Sequence, residues 1–266
     1  MKRIIVFEFK KLFKSVPFYV ILGICLIITL LNVSIVSIVQ NIGYQVFDDT
    51  TKKYVTVYND YQMLKNVSSG IISLISMISL LWLIFIAIFN SEDYRFDTIK
   101  TIKGRGFNNT NTYLAKYVVS LVAILLITAI CILLYVVGLN LLIKNKAFEP
   151  NDNLGFEIIG IILMPFLIHA FYYFLTSLKH TIALGIVLGI AIPSVASLFL
   201  VIITAVLSAN HVQNVPTLTN YLIDDLSSLL LSENKSERIQ FFAFYIIYLV
   251  SLDAGSYFLS LRKNII

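Results

Sequence analysis

Residues 70–90 read GIISLISMISLLWLIFIAIFN, a run without one charged side chain, and this stretch decides the fold. A helix of about 20 such residues, rising about 1.5 Å per residue, crosses the roughly 30 Å hydrocarbon layer of a bilayer. Lipid offers the backbone no hydrogen-bond partners, so a run of this kind must be a helix whose amides satisfy one another internally. Working outward, five further runs have the same character, at about 17–39, 117–143, 157–176, 181–207 and 240–260. The sequence therefore predicts an all-α, polytopic membrane protein of six transmembrane helices, built as one domain over residues 1–266.

Composition agrees with this. The 266 residues are 58% hydrophobic and 13% charged, and the mean hydropathy is +0.87, against about 45–50% apolar and about 25% charged residues in an ordinary soluble domain. Cys25 and Cys131 lie inside apolar runs, where a thiol acts as a small hydrophobe, and no disulfide framework or metal spacing is legible. His169 reads as a hydrogen-bonded polar residue inside the fourth span, and neither His180 nor His211 has metal-ligand spacing to it. The N-terminal run is too long for the apolar core of a secretory signal and has no small-residue cleavage pattern after it, so an uncleaved span is expected.

An even number of spans places both ends of the chain on one side, and the excess of Lys and Arg selects which side. Five basic residues precede residue 17 and five lie between Arg95 and Lys116; with Lys179, Arg262 and Lys263 these make 13 of the 20, against 7 on the other face. Both termini are expected in the cytoplasm. The basic balance is explained by membrane orientation and anionic headgroups and implies no nucleic acid. The first 16 residues, MKRIIVFEFKKLFKSV, place Ile4, Ile5, Phe9, Leu12, Phe13 and Val16 near helical spacing with lysines around them, which predicts an amphipathic helix in the inner interface.

The second span runs straight into NSEDYRFDTIKTIKGRGFNNTNTYLAKYV, residues 90–118, whose mixed charge stands out in so apolar a chain. A helical extension is expected first, then a turn at Gly104 and Gly106, then a restart with Asn111 or Thr112 as N-cap of the third span. Here the chain resembles the permease subunits of type-2 ABC exporters: an acidic residue after the second span, a Gly-Thr-Ile-Lys-like core, a glycine or basic turn, and a lysine where the third span begins. The matching residues are Glu92, Asp93, Phe96, Thr98, Ile99, Lys100, Gly104, Arg105, Gly106, Thr112, Tyr113, Leu114 and Lys116, and Asp97 stands where that pattern has glycine. The resemblance covers the whole chain in architecture and about 25 residues in sequence. It implies that segment 91–113 is a cytoplasmic coupling helix docking on a separate ATP-binding cassette ATPase through Glu92, Asp93, Tyr94, Phe96, Asp97, Thr98, Ile99 and Lys100. It further implies that a second permease copy or a homologue completes the assembly, and that ATP and Mg are held by the ATPase, with no cofactor bound by this chain.

Two hydroxyl stripes are candidates for a translocation path: Ser69, Ser73 and Ser76 in the second span, and Ser197, Thr204 and Ser208 in or beside the fifth. The competing readings are contacts between helices and hydroxyls bonded to their own backbone. Gly185 and Gly189 let another helix approach closely, and Pro193 removes a backbone donor and should kink the fifth span. Asp253 is the one carboxylate well inside a span, a functional site by default unless it sits near the inner boundary with a partner. Glu157 is expected at the outer mouth of the fourth span. The outer segment 208–239 carries LTNYLIDDLSSLLL, with Leu218, Leu222, Leu226 and Leu229 on one helical face, and predicts a short amphipathic helix at the outer interface. The first outer segment, about 40–69, is expected to extend its spans or form a small cap.

No GxxxxGK[ST] phosphate loop, HExxH helix or GxSxG elbow occurs, so an enzyme is not expected. The function expected is export of amphipathic or hydrophobic cargo, a peptide, drug or lipid, across a bacterial plasma membrane. Alternatives are an ion-coupled secondary transporter, marked by intramembrane charges, and a non-transporting sensor or immunity subunit.

Overall fold

A computed structural model describes residues 2–42, 44–48, 53–57, 61–95, 104, 109–144, 146–147, 153–178, 181–209, 218–223, 226–232 and 234–262. Six helices are long and apolar enough to cross a membrane. They are α2 (Val16–Asn41), α3 (Met63–Arg95), α4 (Asn109–Leu142), α5 (Leu154–Leu178), α6 (Ile182–Ala209) and α8 (Lys235–Arg262), preceded by α1 (Lys2–Lys14). Each contains the core of an expected span and overruns it by up to several residues, because polar flanks continue a helix readily where water replaces lipid. Helix α4 begins at Asn109, two residues before the expected cap, and Thr112 is buried within its first turn.

Helix α1 is separated from α2 at Ser15, whose hydroxyl and amide both donate to the Leu12 carbonyl. Pro17 sits in the first turn of α2, where its missing N–H costs nothing but a continuous helix is prevented. The Phe13 carbonyl stranded by that break accepts a hydrogen bond from the Tyr19 hydroxyl at 2.9 Å. Phe13 and Val16, assigned from the sequence to the apolar face of the first helix, are both exposed; the seated face is Ile4, Glu8 and Leu12.

The ends of the bundle follow from cross-contacts. Lys11 in α1 meets Asp93 at the end of α3, which meets Lys116 near the start of α4. Tyr117 bonds Asp253 of α8, so the chain's last helix finishes at this same end. At the other end, Asn41 closes α2 against α4 through the Leu142 carbonyl and the Lys144 amide. Helices α3 and α5 are the most buried of the six and carry Trp82, Phe85, Tyr172 and Tyr173, while α6 is the least buried. Gly185 and Gly189 serve this internal packing: a Cβ at 185 would lie 3.1 Å from Thr176 and 3.4 Å from Ala87, and one at 189 would overlap Leu83. Both glycines thus face α3 of the same chain, and Gly185 also meets Thr176 of α5. Helix α6 continues through Pro193 without a break.

Outside the helices, strands β1 (Tyr44–Asp48) and β2 (Lys53–Val57) form an antiparallel hairpin with Tyr44 opposite Val57 and Asp48 opposite Lys53. The segment between α2 and α3 thus carries β structure, a local exception to the all-α reading, favoured by its Tyr, Val, Thr and Phe content. Short strands β3 (Tyr61–Gln62) and β4 (Lys146–Ala147) pair in parallel. The expected amphipathic helix of 208–239 is replaced by a 3-10 turn at Leu218–Tyr221 and a single helical turn, α7 (Ser227–Leu230). Leu226, Leu229 and Leu230 are buried in the bundle, and a Cβ at Gly160 would collide with Leu230. Isolated helices this short are marginal, and plugging three leucines against α5 and α8 outweighs continuing one across the surface.

Candidate functional site

Asn90, Ser91, Glu92 and Asp93 are the first polar residues after the apolar run of α3, and all except Glu92 are buried. The structure gives them partners. Lys116 Nζ lies 2.6 Å from Asp93 Oδ2, and Lys11 Nζ lies 2.6 Å from Asp93 Oδ1 and 3.0 Å from Glu92 Oε2. Lys116 also donates to the Asn90 carbonyl at 3.4 Å, and the Asn90 amide donates to Thr176 Oγ1 of α5 at 2.9 Å. One carboxylate thus bridges two lysines from two other helices. Both partners of the inner pair are nearly inaccessible, with side-chain exposures of 5% for Lys116 and 4% for Asp93. Charges held in this way are tolerated only because each compensates the other.

Lys11 is further held 5.8 Å over the Phe89 ring. Burial alone would lower its pKa; the Asp93 carboxylate, with hydrogen bonds to Asp93 and Glu92, overcomes that and raises it. The consequence is mechanical: α1, the end of α3 and the start of α4 are pinned at one point, so displacement of the segment that joins α3 to α4 acts on three helices together.

One turn deeper lies a second polar group. Tyr117 donates to Asp253 Oδ1 at 2.8 Å, and Ser120 Oγ lies 2.9 Å from His169 Nε2. The rings of Tyr117, His169, Tyr173 and Tyr113 stack in a chain, with edge contacts at 4.8 Å for Tyr117 to His169 and 5.1 Å for Tyr113 to Tyr173. Asp253 is half-buried and paired with Tyr117. At the far end Glu157 is buried in the first turn of α5, and Arg238 lies 5.5 Å over the Phe156 ring. Among the described residues no group of His, Cys, Asp and Glu is arranged to hold a metal ion.

Of the residues expected to couple to an ATPase, Asp93 faces inward and is a strut of the junction, while Glu92 keeps a third of its side chain exposed. The side chain of Tyr94 and residues Phe96, Asp97, Thr98, Ile99 and Lys100 lie outside the described residues, as does Gly106. Gly104 is itself helical, where a glycine turn is expected, and its φ lies outside the left-handed region such a turn uses.

The two hydroxyl stripes differ in burial. Ser69, Ser73 and Ser76 are all exposed on one face of α3, beside Met77 and Leu80; Ser197 and Thr204 are half-buried on α6; the Ser208 side chain lies outside the described residues. Ser76 and Thr204 donate to the carbonyls four residues earlier, at 3.2 and 2.8 Å. Gly185 faces Ala87 and Gly189 faces Leu83, an antiparallel register that, continued in equal steps, sets Ser197 level with Ile75, next to Ser76, and Thr204 level with Ser68, next to Ser69.

Sequence reasoning missed Glu8, Lys11, Tyr117 and Ser120. For Glu8 the signal was present, since a carboxylate four residues from both Ile4 and Leu12 falls on the stripe that α1 buries. Comparison with protein-family models and with curated proteins finds no match to this chain.

Proposed function

We propose that the chain is the membrane-spanning subunit of an ATP-driven exporter of the type-2 ABC kind, working as a dimer with a separate ATPase. The observation that carries this reading is the buried Lys11–Asp93–Lys116 junction, which locks α1, α3 and α4 together beside the segment that resembles the family's coupling helix. A push on residues 94–108 by a closing ATPase would reach the bundle through α3, a helix that runs unbroken from Met63 to Arg95, as a lever. The partner supplies ATP and Mg chemistry. A second permease copy would cover the open serine face of α3, enclosing hydroxyls of α3 and α6 that lie at matching depth. Cargo moving along such a wall is amphipathic or hydrophobic, a peptide, drug or lipid, since the wall offers hydroxyls and few fixed charges. In this reading both termini face the cytoplasm of a bacterial cell.

Support would come from an ATP-binding cassette ATPase that co-purifies with the tagged chain and is lost on Phe96→Ala or Ile99→Ala. If no such ATPase accompanies the protein, or if a cysteine placed at Lys144 labels only from the cytoplasmic side, the reading is wrong. The Asp253–Tyr117 pair and the buried Ser120–His169 contact favour one alternative, an ion-coupled transporter. That reading requires proton-driven uptake or efflux without any ATPase, abolished by Asp253→Asn.

A further inference from the structure

We propose that Glu8 is a proton-binding site that governs how firmly α1 is seated on the bundle, the helix lying flush when Glu8 is protonated and loosening when it is ionised. The inference concerns this chain alone and stands whether or not an ATPase is its partner.

Glu8 is 0% exposed, in the middle of the seated face of α1 between Ile4 and Leu12. Neither of its carboxyl oxygens has a hydrogen-bond partner among the described residues. Among the described residues the charged groups around it are Lys11 on its own helix, Glu92 and Asp93 on α3, and Lys116 on α4. Both ammonium groups are already engaged elsewhere, Lys11 with Glu92 and Asp93 at 3.0 and 2.6 Å, Lys116 with Asp93 at 2.6 Å. Among the described residues three carboxylates therefore share two cations, and this group carries one negative charge too many unless one carboxyl is protonated. Asp93 holds two close cations and Glu92 is partly in water, so the proton belongs on Glu8. A plain hydrophobe at this position would seat α1 more firmly at every pH; a carboxyl there makes the seat conditional.

The direction of the effect follows from the shift. Burial raises Glu8, Lys116 and Lys11 partly offset that, and Asp93 and Glu92 reinforce it, bringing the seated value to about 7 from an ordinary 4.5. Lys11 is raised and stays charged through this window. Seating therefore takes up a proton, is firmest below the ordinary carboxyl value, and weakens as pH climbs to about 7. Between pH 5.5 and pH 8 the ratio of seated to unseated helix should fall on the order of thirtyfold.

The test uses the full chain in lipid nanodiscs, with a cysteine replacing Ile4, buried in the seat, or Val6, exposed on the same helix. Alkylation by a polar maleimide is followed from pH 5.5 to 8, and the Ile4→Cys rate is divided by the Val6→Cys rate to cancel thiol ionisation. We expect the quotient to rise on the order of thirtyfold with a limiting value reached near neutral pH, and to stay low and flat when Glu8→Gln is added. A flat quotient in the otherwise native protein, or an unchanged rise in Glu8→Gln, overturns the proposal. Infrared difference spectra of protein carrying 13C-labelled glutamate provide a readout needing no substitution. A protonated carboxyl that persists to near neutral pH is required, and titration of every glutamate in the ordinary acid range refutes the site.

Discussion

Replacing Lys116 by methionine removes one ammonium group from the buried junction while nearly preserving side-chain volume, so the loss is electrostatic rather than a packing defect. At 2.6 Å and an effective dielectric of about 20, the Lys116–Asp93 attraction is about 6 kcal/mol before desolvation is counted. Breaking a buried pair from one side costs about 3–5 kcal/mol, because the remaining charge is left in a poor solvent. Asp93 would keep Lys11 at 2.6 Å, which places the expected loss near the lower bound, about 3 kcal/mol. Adding Asp93→Leu removes the stranded charge, and the double variant should fall short of the summed single losses by about 2–3 kcal/mol. Trp82 is the only tryptophan in the sequence and is fully buried in the core. Its fluorescence therefore reports unfolding in mixed micelles of rising dodecyl sulfate content. A Lys116→Met loss below about 1 kcal/mol, or strict additivity with Asp93→Leu, would show that the junction does not hold the three helices together.

Other substitutions separate the remaining contacts. Glu92→Gln, whose side chain is a third exposed, should change stability by less than about 1 kcal/mol in the same assay, because partly solvated pairs contribute little. Gly189→Ala puts a methyl against Leu83 and should destabilise the bundle by about 1–3 kcal/mol. Gly23→Ala meets nothing within 4 Å and should be neutral or stabilising by up to about 1 kcal/mol; equal effects at the two glycines would contradict the α3–α6 packing. Tyr117→Phe withdraws the hydroxyl from Asp253 and should cost about 1–3 kcal/mol, whereas Asp253→Asn keeps an acceptor and should cost less.

Much of the architecture was legible in single runs of residues. An uncharged stretch such as 70–90 has one stable form in lipid, and the six such stretches became six helices long and apolar enough to span it, with only their ends displaced. The hairpin was less legible, because the stretch 44–57 was polar enough to be read either as an extension of its spans or as a small cap. LTNYLIDDLSSLLL misled for a different reason: its leucines share a face at helical spacing, but the bundle offered Leu230 a seat over Gly160 that no local pattern announces.

The junction divides along the same line. The sequence by itself determined that polar residues follow the apolar run of α3 and that Lys116 precedes the apolar run of α4, because the bilayer admits charge only near its boundaries. It also placed Glu8 on the face of α1 that carries Ile4 and Leu12, since helical periodicity depends on nothing beyond the chain's own geometry. Only the tertiary structure decided that Lys11 and Lys116 converge on Asp93 from two helices, leaving Glu8 buried and without a hydrogen bond among the described residues. Pairings between residues 82 positions apart in sequence are set by how helices pack, and packing is a property of the whole bundle.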